Sequence, residues 1–329
     1  MIKDKINYSL DDVSIIPAIT GLNSRSECDP FYCQSSPNLP IFCAPMTAVC
    51  DTENYDLFRK NKIIPMLPRT IGLRIRLEKC TDVWCAFGLE EFEENFVKKP
   101  VHTNDFTFAC IDVANGHMPM VAQVISGAKS RNSHVYIMAG NVANPWTYMA
   151  LAEAGADFVR VGIGGGACCL TSTNTGVHFP MASLLEQCKF IKTTNGLKAG
   201  IVADGGIDDY GKAVKALALG ADYVMMGTML AKCFESAAKP SGHGTKKIFG
   251  MSTPIAQELI DKTKPIRPTE GLVREIPIEY TIEDFSKNFE AYLRSAMAYT
   301  NCKRLQDFTS GKVELNIMNN KCYNNLYNS

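Results

Sequence analysis

Residues 200–227, GIVADGGIDDYGKAVKALALGADYVMMG, show how this chain of 329 residues is built. Two apolar runs, Gly200–Asp204 and Tyr223–Gly227, flank a helix pattern at Tyr210–Leu219. Gly220 follows this pattern, and a glycine just after the last periodic residue is a common helix stop. Continuous apolar runs are typical of parallel strands buried on both faces. The segment therefore predicts a strand–helix–strand unit of a parallel α/β fold.

Six more apolar runs of the same kind precede this unit. They are Ile41–Met46, Ile63–Leu67, Val83–Gly88, Phe106–Val113, Val135–Val142 and Phe158–Ile163. Helix patterns such as Trp146–Ala154 lie between the runs. Eight strands alternating with helices favour a closed (β/α)8 barrel, the TIM barrel, while a doubly wound sheet is the alternative that periodicity alone leaves open.

The chain shows one hydrophobic core, which predicts one catalytic domain over residues 1–310. A polar segment at 239–271, rich in Lys, Gly, Ser, Thr and Pro, is long for a connection inside a compact domain, so we predict a lid or flap there. A helix pattern follows at Ile282–Ala298. The C-terminal tail, 311–329, ends in an Asn-rich stretch and is expected to be partly disordered.

The composition narrows the class of partner and the compartment. The 34 basic residues balance the 34 acidic ones, so we expect no nucleic-acid partner. We see neither a signal peptide nor an apolar stretch near the roughly 20 residues of a membrane span, so we expect no membrane partner. The 13 cysteines are scattered without zinc-ligand spacing, which favours free thiols and a cytoplasmic location.

The segment most informative about chemistry is VGIGGGACCLTSTNTGVHFP, residues 161–180. It begins at the end of the sixth predicted strand, and loops at the C-terminal ends of barrel strands are where catalysis sits. Its glycines let backbone amides approach a ligand closely. A thiol in such a loop can become a nucleophile. The alternative is a flexible glycine-rich loop with incidental cysteines.

The ends of the seventh and eighth strands predict a nucleotide site. ADGGI (203–207) and MMGTMLA (225–231) lie where barrels often bind phosphate. Asp204, at a strand end before two glycines, suits a ribose hydroxyl acceptor beside a phosphate cradle. The alternative for Asp204 is a helix N-cap.

These segments resemble the guanosine monophosphate reductase and inosine monophosphate dehydrogenase family over nearly the whole chain. The motifs that carry the resemblance are LDDVSIIPA (10–18) with LNSRSECD (22–29), APM (44–46), IDVANGH (111–117), MAGNV (138–142), GIGGGACCLT (162–171), ADGG (203–206), MMGTMLA (225–231), FGMS (249–252) and TEG (269–271). Their shared order is specific in a way that no single motif is.

The resemblance implies a role for each matching residue. Cys169 would be the nucleophile, with Cys168 a bystander, and Thr171 and Glu270 would move protons at purine C2. The residues implied to bind the purine nucleotide monophosphate are Met46, Asp204, Gly205, Gly206, Gly227, Thr228, Met251, Ser252 and Arg267. The residues implied on the dinucleotide side are Arg69, Asp112, Asn115 and Gly116. The expected cofactor is NADPH, with NAD(H) as the alternative. A backbone K+ site at Gly164, Gly166 and Cys169 and a homotetramer are also implied.

Within the family, the chain is closer to the reductase. No regulatory (CBS) domain fits between the second run and the third, and residues 252–270 lack the Arg-Tyr pair that activates water in dehydrogenases. DVANG and GMS are the reductase-like forms of their motifs. The expected reaction is GMP plus NADPH to IMP, ammonia and NADP+.

Other readings of the sequence remain open at this point. The chain departs from the family pattern at Ala167, Thr47, Arg69 and Ser172, around the nucleotide, which leaves a modified purine nucleotide open as substrate. A dehydrogenase without its regulatory domain is the second enzymatic alternative. A nucleotide-binding sensor without catalysis is the third, and the retained Cys169, Thr171 and Glu270 argue against it.

Overall fold

The computed structural model of the chain describes residues 6–99, 105–263, 265–266, 268 and 270–318. The strands of this part are β1 (Val13–Ile15), β2 (Ile41–Cys43), β3 (Met66–Leu67), β4 (Trp84–Phe87), β5 (Thr107–Asp112), β6 (Val135–Val142), β7 (Phe158–Val161), β8 (Gly200–Asp204), β9 (Tyr223–Met226), β10 (Pro240–Gly242), β11 (Thr245–Phe249), β12 (Val273–Pro277) and β13 (Leu315–Ile317).

The α-helices of the same residues are α1 (Tyr55–Lys60), α2 (Leu73–Lys79), α3 (Leu89–Phe92), α4 (Pro119–Arg131), α5 (Pro145–Glu153), α6 (Thr171–Thr175), α7 (Met181–Thr194), α8 (Tyr210–Ala218), α9 (Thr228–Ala231), α10 (Pro254–Ile260), α11 (Ile282–Tyr299) and α12 (Leu305–Phe308). The three predicted helix patterns correspond to α5, α8 and α11. Among the described helices, none is long and apolar enough to cross a membrane.

The eight predicted runs form β2 to β9, and these strands make one parallel sheet. Its hydrogen-bonded order is β2-β9-β8-β7-β6-β5-β4-β3, so β2 and β3, the first two strands of the sheet in chain order, lie at its two ends. A parallel bridge between Phe42 and Ile64 joins those ends. The Cys43 amide donates to the Ile64 carbonyl at 2.9 Å, and the Ile64 amide donates to the Ile41 carbonyl at 3.0 Å. The sheet therefore closes, which confirms the TIM barrel over a doubly wound sheet.

The buried side chains of the barrel strands form two layers, one inside the barrel and one between the barrel and the helices. The inner cluster contains Phe42, Met66, Trp84 and Met138. Ile41 and Cys43, on either side of Phe42, belong to a larger cluster shared with the helices. Because successive strand residues point to opposite faces, this division separates the barrel interior from the layer under the helices. In the interior, the Phe42 ring packs edge-on to Trp84 at a centroid distance of 5.8 Å. The lower barrel is thus a packed core.

The predicted flap has secondary structure of its own. β10, β11 and β12 form an antiparallel sheet, and α10 lies between β11 and β12. The buried Lys246 on β11 donates from Nζ to the carbonyls of Cys233, Phe234 and Ser236 at 2.7 to 3.0 Å. These carbonyls follow α9, so the base of the flap is anchored to the chain that leaves the eighth barrel strand.

The first and last strands of the described chain pair with each other. β13 pairs antiparallel with β1, with Val13 opposite Ile317. The first part of the expected tail is therefore ordered by a strand pairing, while residues 319–329 lie outside the described part of the chain. Between β3 and α2 the connection spans only residues 68–72, which leaves no inserted regulatory domain there.

Candidate active site

The loop that carries the cysteines leaves β7 at a point where only glycine fits. Gly162 has a φ of +134°, and a Cβ on it would lie 2.1 Å from the Asp204 carbonyl oxygen. A side chain here would clash with backbone, and left-handed φ values strain other residues. The glycine therefore lets the loop pass directly against the end of β8.

Cys169, Thr171 and Glu270 form one hydrogen-bonded chain. The Cys169 thiol donates to Thr171 Oγ1 at 3.3 Å, and Thr171 Oγ1 donates to Glu270 Oε2 at 2.5 Å. Glu270 is half-buried rather than a free surface carboxylate. The structure therefore brings Glu270 to Thr171, although the two are separated by 99 positions in the sequence.

Backbone hydrogen bonds hold the flap against the cysteine loop. The Leu170 amide donates to the Glu270 carbonyl at 2.6 Å, and the Leu272 amide donates to the Cys168 carbonyl at 3.0 Å. Cys169 and Gly271 form an antiparallel bridge. Because the main chain makes these contacts, the position of Glu270 beside Thr171 follows from how the flap docks.

The two adjacent cysteines occupy different environments. Cys168 is 6% exposed and packs in the main core, and burial raises the pKa of its thiol. Cys169 is partly exposed and hydrogen-bonded to Thr171. Because the thiolate is the nucleophile, burial makes Cys168 the less reactive thiol. The geometry supports Cys169 as the reactive one.

Asp204 ends β8 and is held by its neighbours through one oxygen. Its Oδ2 accepts from Asn141 Nδ2 at 2.7 Å and from Arg160 Nη2 at 2.8 Å and Nε at 3.2 Å. Within the described residues, no side chain or amide donates to Oδ1, so that oxygen can accept from a ligand. The helix-cap alternative is wrong, because α8 is capped by Asp209, whose side chain accepts from the Lys212 amide at 2.7 Å.

We predict that Asp204→Ala weakens nucleotide binding more than it slows chemistry. A hydrogen bond to a charged group contributes about 1.5–3 kcal/mol, so losing ribose hydroxyl contacts should weaken affinity at least tenfold. Calorimetric titration with GMP measures this. Asp209→Ala is the matched control, since loss of a helix cap costs about 1 kcal/mol of stability but leaves the nucleotide site intact. An unchanged affinity in Asp204→Ala refutes the ribose role.

Several residues predicted to bind the base and the phosphate lie close to one another and to the cysteine loop. A Cβ on Gly227 would lie 2.8 Å from Met46 Sδ, and Met251 Sδ lies 3.9 Å from Thr47 Oγ1. A Cβ on Gly271 would lie 2.9 Å from Ser252 Oγ, which places Ser252 beside the bridge to Cys169. These contacts link the first strand loop, the eighth strand and the flap into one site.

The glycine turn after β8, expected to bind phosphate, abuts the glycines of the cysteine loop. A Cβ on Gly205 would lie 3.2 Å from the Gly166 amide nitrogen, and a Cβ on Gly165 would lie 3.2 Å from that of Gly206. Thr228 begins α9 directly after Gly227. Bare backbone amides at such turns suit an anion. Arg267 lies outside the described residues.

The residues expected on the dinucleotide side fall into two groups. Asp112 accepts from Arg160 Nη1 at 2.6 Å, and its carbonyl lies 3.5 Å from Arg69 Nη1. Asn115 is exposed, while the Gly116 amide donates to the Asn141 carbonyl at 2.8 Å. A Cβ on Gly116 would lie 2.8 Å from that carbonyl oxygen, so the turn needs glycine. The dinucleotide role of these residues stays a prediction.

Sequence reasoning missed three residues of this region. Arg160, in the run FVRVGI, is a charge within an apolar strand, and such a residue must be paired when buried. Asn141 lies in the MAGNV motif, yet nothing in the sequence points it at Asp204. His117 accepts from the Ala143 amide through Nε2 at 3.1 Å, so its Nδ1 carries the proton toward Thr147 Oγ1 at 2.8 Å. Burial lowers the pKa of His117, which favours this neutral form.

Two of the three carbonyls expected to bind K+ already accept hydrogen bonds. The Gly164 carbonyl accepts from Ser172 Oγ at 3.0 Å, and the Gly166 carbonyl accepts from the Cys169 amide at 2.9 Å. The described residues also contain no cluster of three His, Cys, Asp or Glu side chains that could hold a metal. The K+ site stays a prediction, and no step below uses it.

Comparison of the sequence with known proteins identifies the family of the chain. The family model described as the IMP dehydrogenase / GMP reductase domain matches residues 82–324. Proteins named GMP reductase from Shigella boydii, Shigella flexneri and Escherichia coli are each 34% identical over 347 aligned positions, with 99% of both chains covered. The chain therefore belongs to the IMP dehydrogenase / GMP reductase family of purine nucleotide oxidoreductases.

Proposed function

We propose that this protein is an NADPH-dependent GMP reductase that works through a covalent bond between Cys169 and purine C2. GMP, NADPH and a proton would give IMP, ammonia and NADP+. The observation that carries the proposal is the chain from the Cys169 thiol through Thr171 Oγ1 to Glu270 Oε2, with distances of 3.3 and 2.5 Å. A thiol joined to a proton relay is the arrangement that nucleophilic catalysis with a leaving amine requires.

The first half of the reaction removes ammonia. Purine C2 lies between two ring nitrogens and is electrophilic, so the Cys169 thiolate adds to it and the ring nitrogen takes up the electron pair and a proton. The Thr171–Glu270 pair delivers a proton to the 2-amino group. The C2–N bond then breaks, ammonia leaves, and the ring nitrogen gives back its proton as the C=N bond reforms.

The second half forms IMP. When bound, the reduced nicotinamide supplies a hydride to C2. The sulfur–carbon bond then breaks, Cys169 departs as the thiolate, and the C=N bond of the purine is restored. Asp204 would hold the ribose and the glycine turns the phosphate, so that C2 stays over Cys169 in both halves.

Two features favour the reductase over the dehydrogenase direction. The connection from β3 to α2 has no inserted domain, and residues 252–270 contain no tyrosine to activate a water. A dehydrogenase needs that water, because its covalent adduct is resolved by hydrolysis. The proteins named GMP reductase that match the full length support the same direction.

The family resemblance also underlies our proposal of a homotetramer. The cysteines of the described residues are all free thiols, which supports a reducing, cytoplasmic location.

The direct test is to follow the reduced nicotinamide by absorbance in two mixtures. GMP with NADPH should show loss of the reduced form together with release of ammonia. IMP with NAD+ should show no sustained reduction. Sustained reduction with IMP and NAD+, accompanied by XMP, would establish a dehydrogenase instead, and loss of NADPH without ammonia would also overturn the proposal.

A further inference from the structure

Four polar side chains form a cluster across four adjacent barrel strands. Asp112 ends β5, Asn141 lies on β6, Arg160 on β7, and Asp204 ends β8. These strands are hydrogen-bonded neighbours, with Asp112 opposite Gly140 and Gly140 opposite Arg160. The cluster therefore sits at the C-terminal end of the barrel, under both predicted ligand sites.

Arg160 is the centre of this cluster. Its side chain is 7% exposed, and it forms ion pairs with Asp112 Oδ1 at 2.6 Å and with Asp204 Oδ2 at 2.8 Å. Burial opposes its charge, but Asp204 and Asp112 outweigh burial and raise the pKa of the guanidinium well above its usual range. A buried guanidinium is costly unless it is paired, so its neighbours must stay charged and in place.

Arg160 occupies one oxygen of each carboxylate, Oδ1 of Asp112 and Oδ2 of Asp204. Arg160 meets Asp204 with two nitrogens and Asp112 with a third, which uses the planar fork of the guanidinium on both sides. Asn141 adds a third donor to Asp204 Oδ2 but does not contact Asp112 among the described hydrogen bonds. One carboxylate of the pair serves the predicted ribose site and the other lies on the predicted dinucleotide side.

We propose that Arg160 is a positioning residue that holds Asp204 for the nucleotide ribose and Asp112 for the dinucleotide, so that both ligands depend on one buried guanidinium. The inference rests on the proposed function for the identity of the two ligands. Arg160 itself touches neither ligand in this account. It acts by fixing the rotamers of the two carboxylates that do.

The test is binding, measured by calorimetry without turnover. GMP is titrated into the free protein, and NADP+ is titrated into the GMP-saturated protein, a pair of ligands that cannot react. Arg160→Lys keeps the charge but lacks the fork, so both dissociation constants should rise about tenfold. Asn141→Ala should raise the GMP constant alone, since of the two carboxylates the Asn141 side chain contacts only Asp204, and alanine keeps the backbone carbonyl that accepts from the Gly116 amide.

Lys192→Met is the matched control. Lys192 forms a similarly sheltered ion pair with Asp222 at 2.6 Å. Asp222 directly precedes β9, so this pair lies at the N-terminal end of the barrel strands, opposite the predicted ligand sites. This variant should lower the melting temperature and leave both dissociation constants unchanged. If Arg160→Lys behaves in the same way, or changes only one of the two constants, the shared positioning role is overturned.

A second variant keeps the test readable if Arg160→Lys does not fold. Asp112→Asn should weaken GMP binding even though Asp112 is expected on the dinucleotide side. Arg160 then loses one of its two ion pairs, so its guanidinium is no longer fixed and no longer holds the Asp204 carboxylate in place. Unchanged GMP affinity in Asp112→Asn would contradict the proposal. A wild-type protein that binds GMP but does not oxidise NADPH would overturn the proposed function and leave this test intact. A wild-type protein that does not bind GMP would overturn both.

Discussion

Cys169→Ala is expected to abolish turnover, with kcat lowered on the order of 10⁴-fold or more, while GMP affinity stays within a few-fold of wild type. The reason is that removal of a covalent nucleophile removes the reaction path and not the contacts to ribose and phosphate. In the proposed function, those contacts are made by Asp204 and by the glycine turns at Gly205 and Gly227. Steady-state NADPH oxidation and a GMP titration by calorimetry measure the two quantities separately.

Cys168→Ala is the matched control for this prediction. It removes the adjacent thiol, which lies in the core at 6% exposure. We expect a loss of stability and retained turnover. If Cys168→Ala is the inactive variant and Cys169→Ala turns over normally, the assignment of the nucleophile is wrong.

Glu270→Gln is expected to slow ammonia release from GMP by about 10²–10⁴-fold, the usual contribution of a positioned general acid or base. Thr171 alone is a poor proton relay, because its hydroxyl does not titrate near neutral pH, whereas a carboxylate carries and gives up a proton. The glutamine keeps the size of the side chain and removes its acid–base function. GMP binding should change far less than the rate of ammonia release.

The flap supplies its own control for Glu270. Glu275 lies on β12 and is exposed, so Glu275→Gln removes a carboxylate from the same sheet without touching the thiol chain. This control should release ammonia at the wild-type rate. Near-normal ammonia release in Glu270→Gln would contradict the proton-transfer role and leave Glu270 with a structural role only.

The sequence predicted what depends on local pattern. Eight apolar runs located the eight barrel strands because a strand buried on both faces must be apolar along its whole length. The cysteine loop could be found because glycines, a thiol and a threonine are adjacent in the chain. Glu270 could be assigned only through the family resemblance, since its contact with Thr171 depends on how the flap docks.

The features that the sequence left open or did not predict depend on contacts between distant strands. Barrel closure rests on the bridge between Phe42 and Ile64, which periodicity does not encode. The sheet within the flap pairs Thr245–Phe249 with Val273–Pro277, and its polar sequence hides this pairing. In the sequence Arg160 is a single charge in an apolar run, and only the closed barrel shows that it lies between Asp112 and Asp204.

The measurement that tests the covalent mechanism most directly is peptide mass spectrometry after acid quenching of the protein mixed with IMP and NADP+, without ammonia. Run in reverse, the thiolate of Cys169 adds to C2 and the hydride departs to NADP+, so an adduct should accumulate because no amine is present to resolve it. The account predicts one purine ribonucleotide on the peptide that contains Cys169, formed together with an equal amount of NADPH and missing from Cys169→Ala. NADPH formation without an adduct, or an adduct on Cys168, would contradict it.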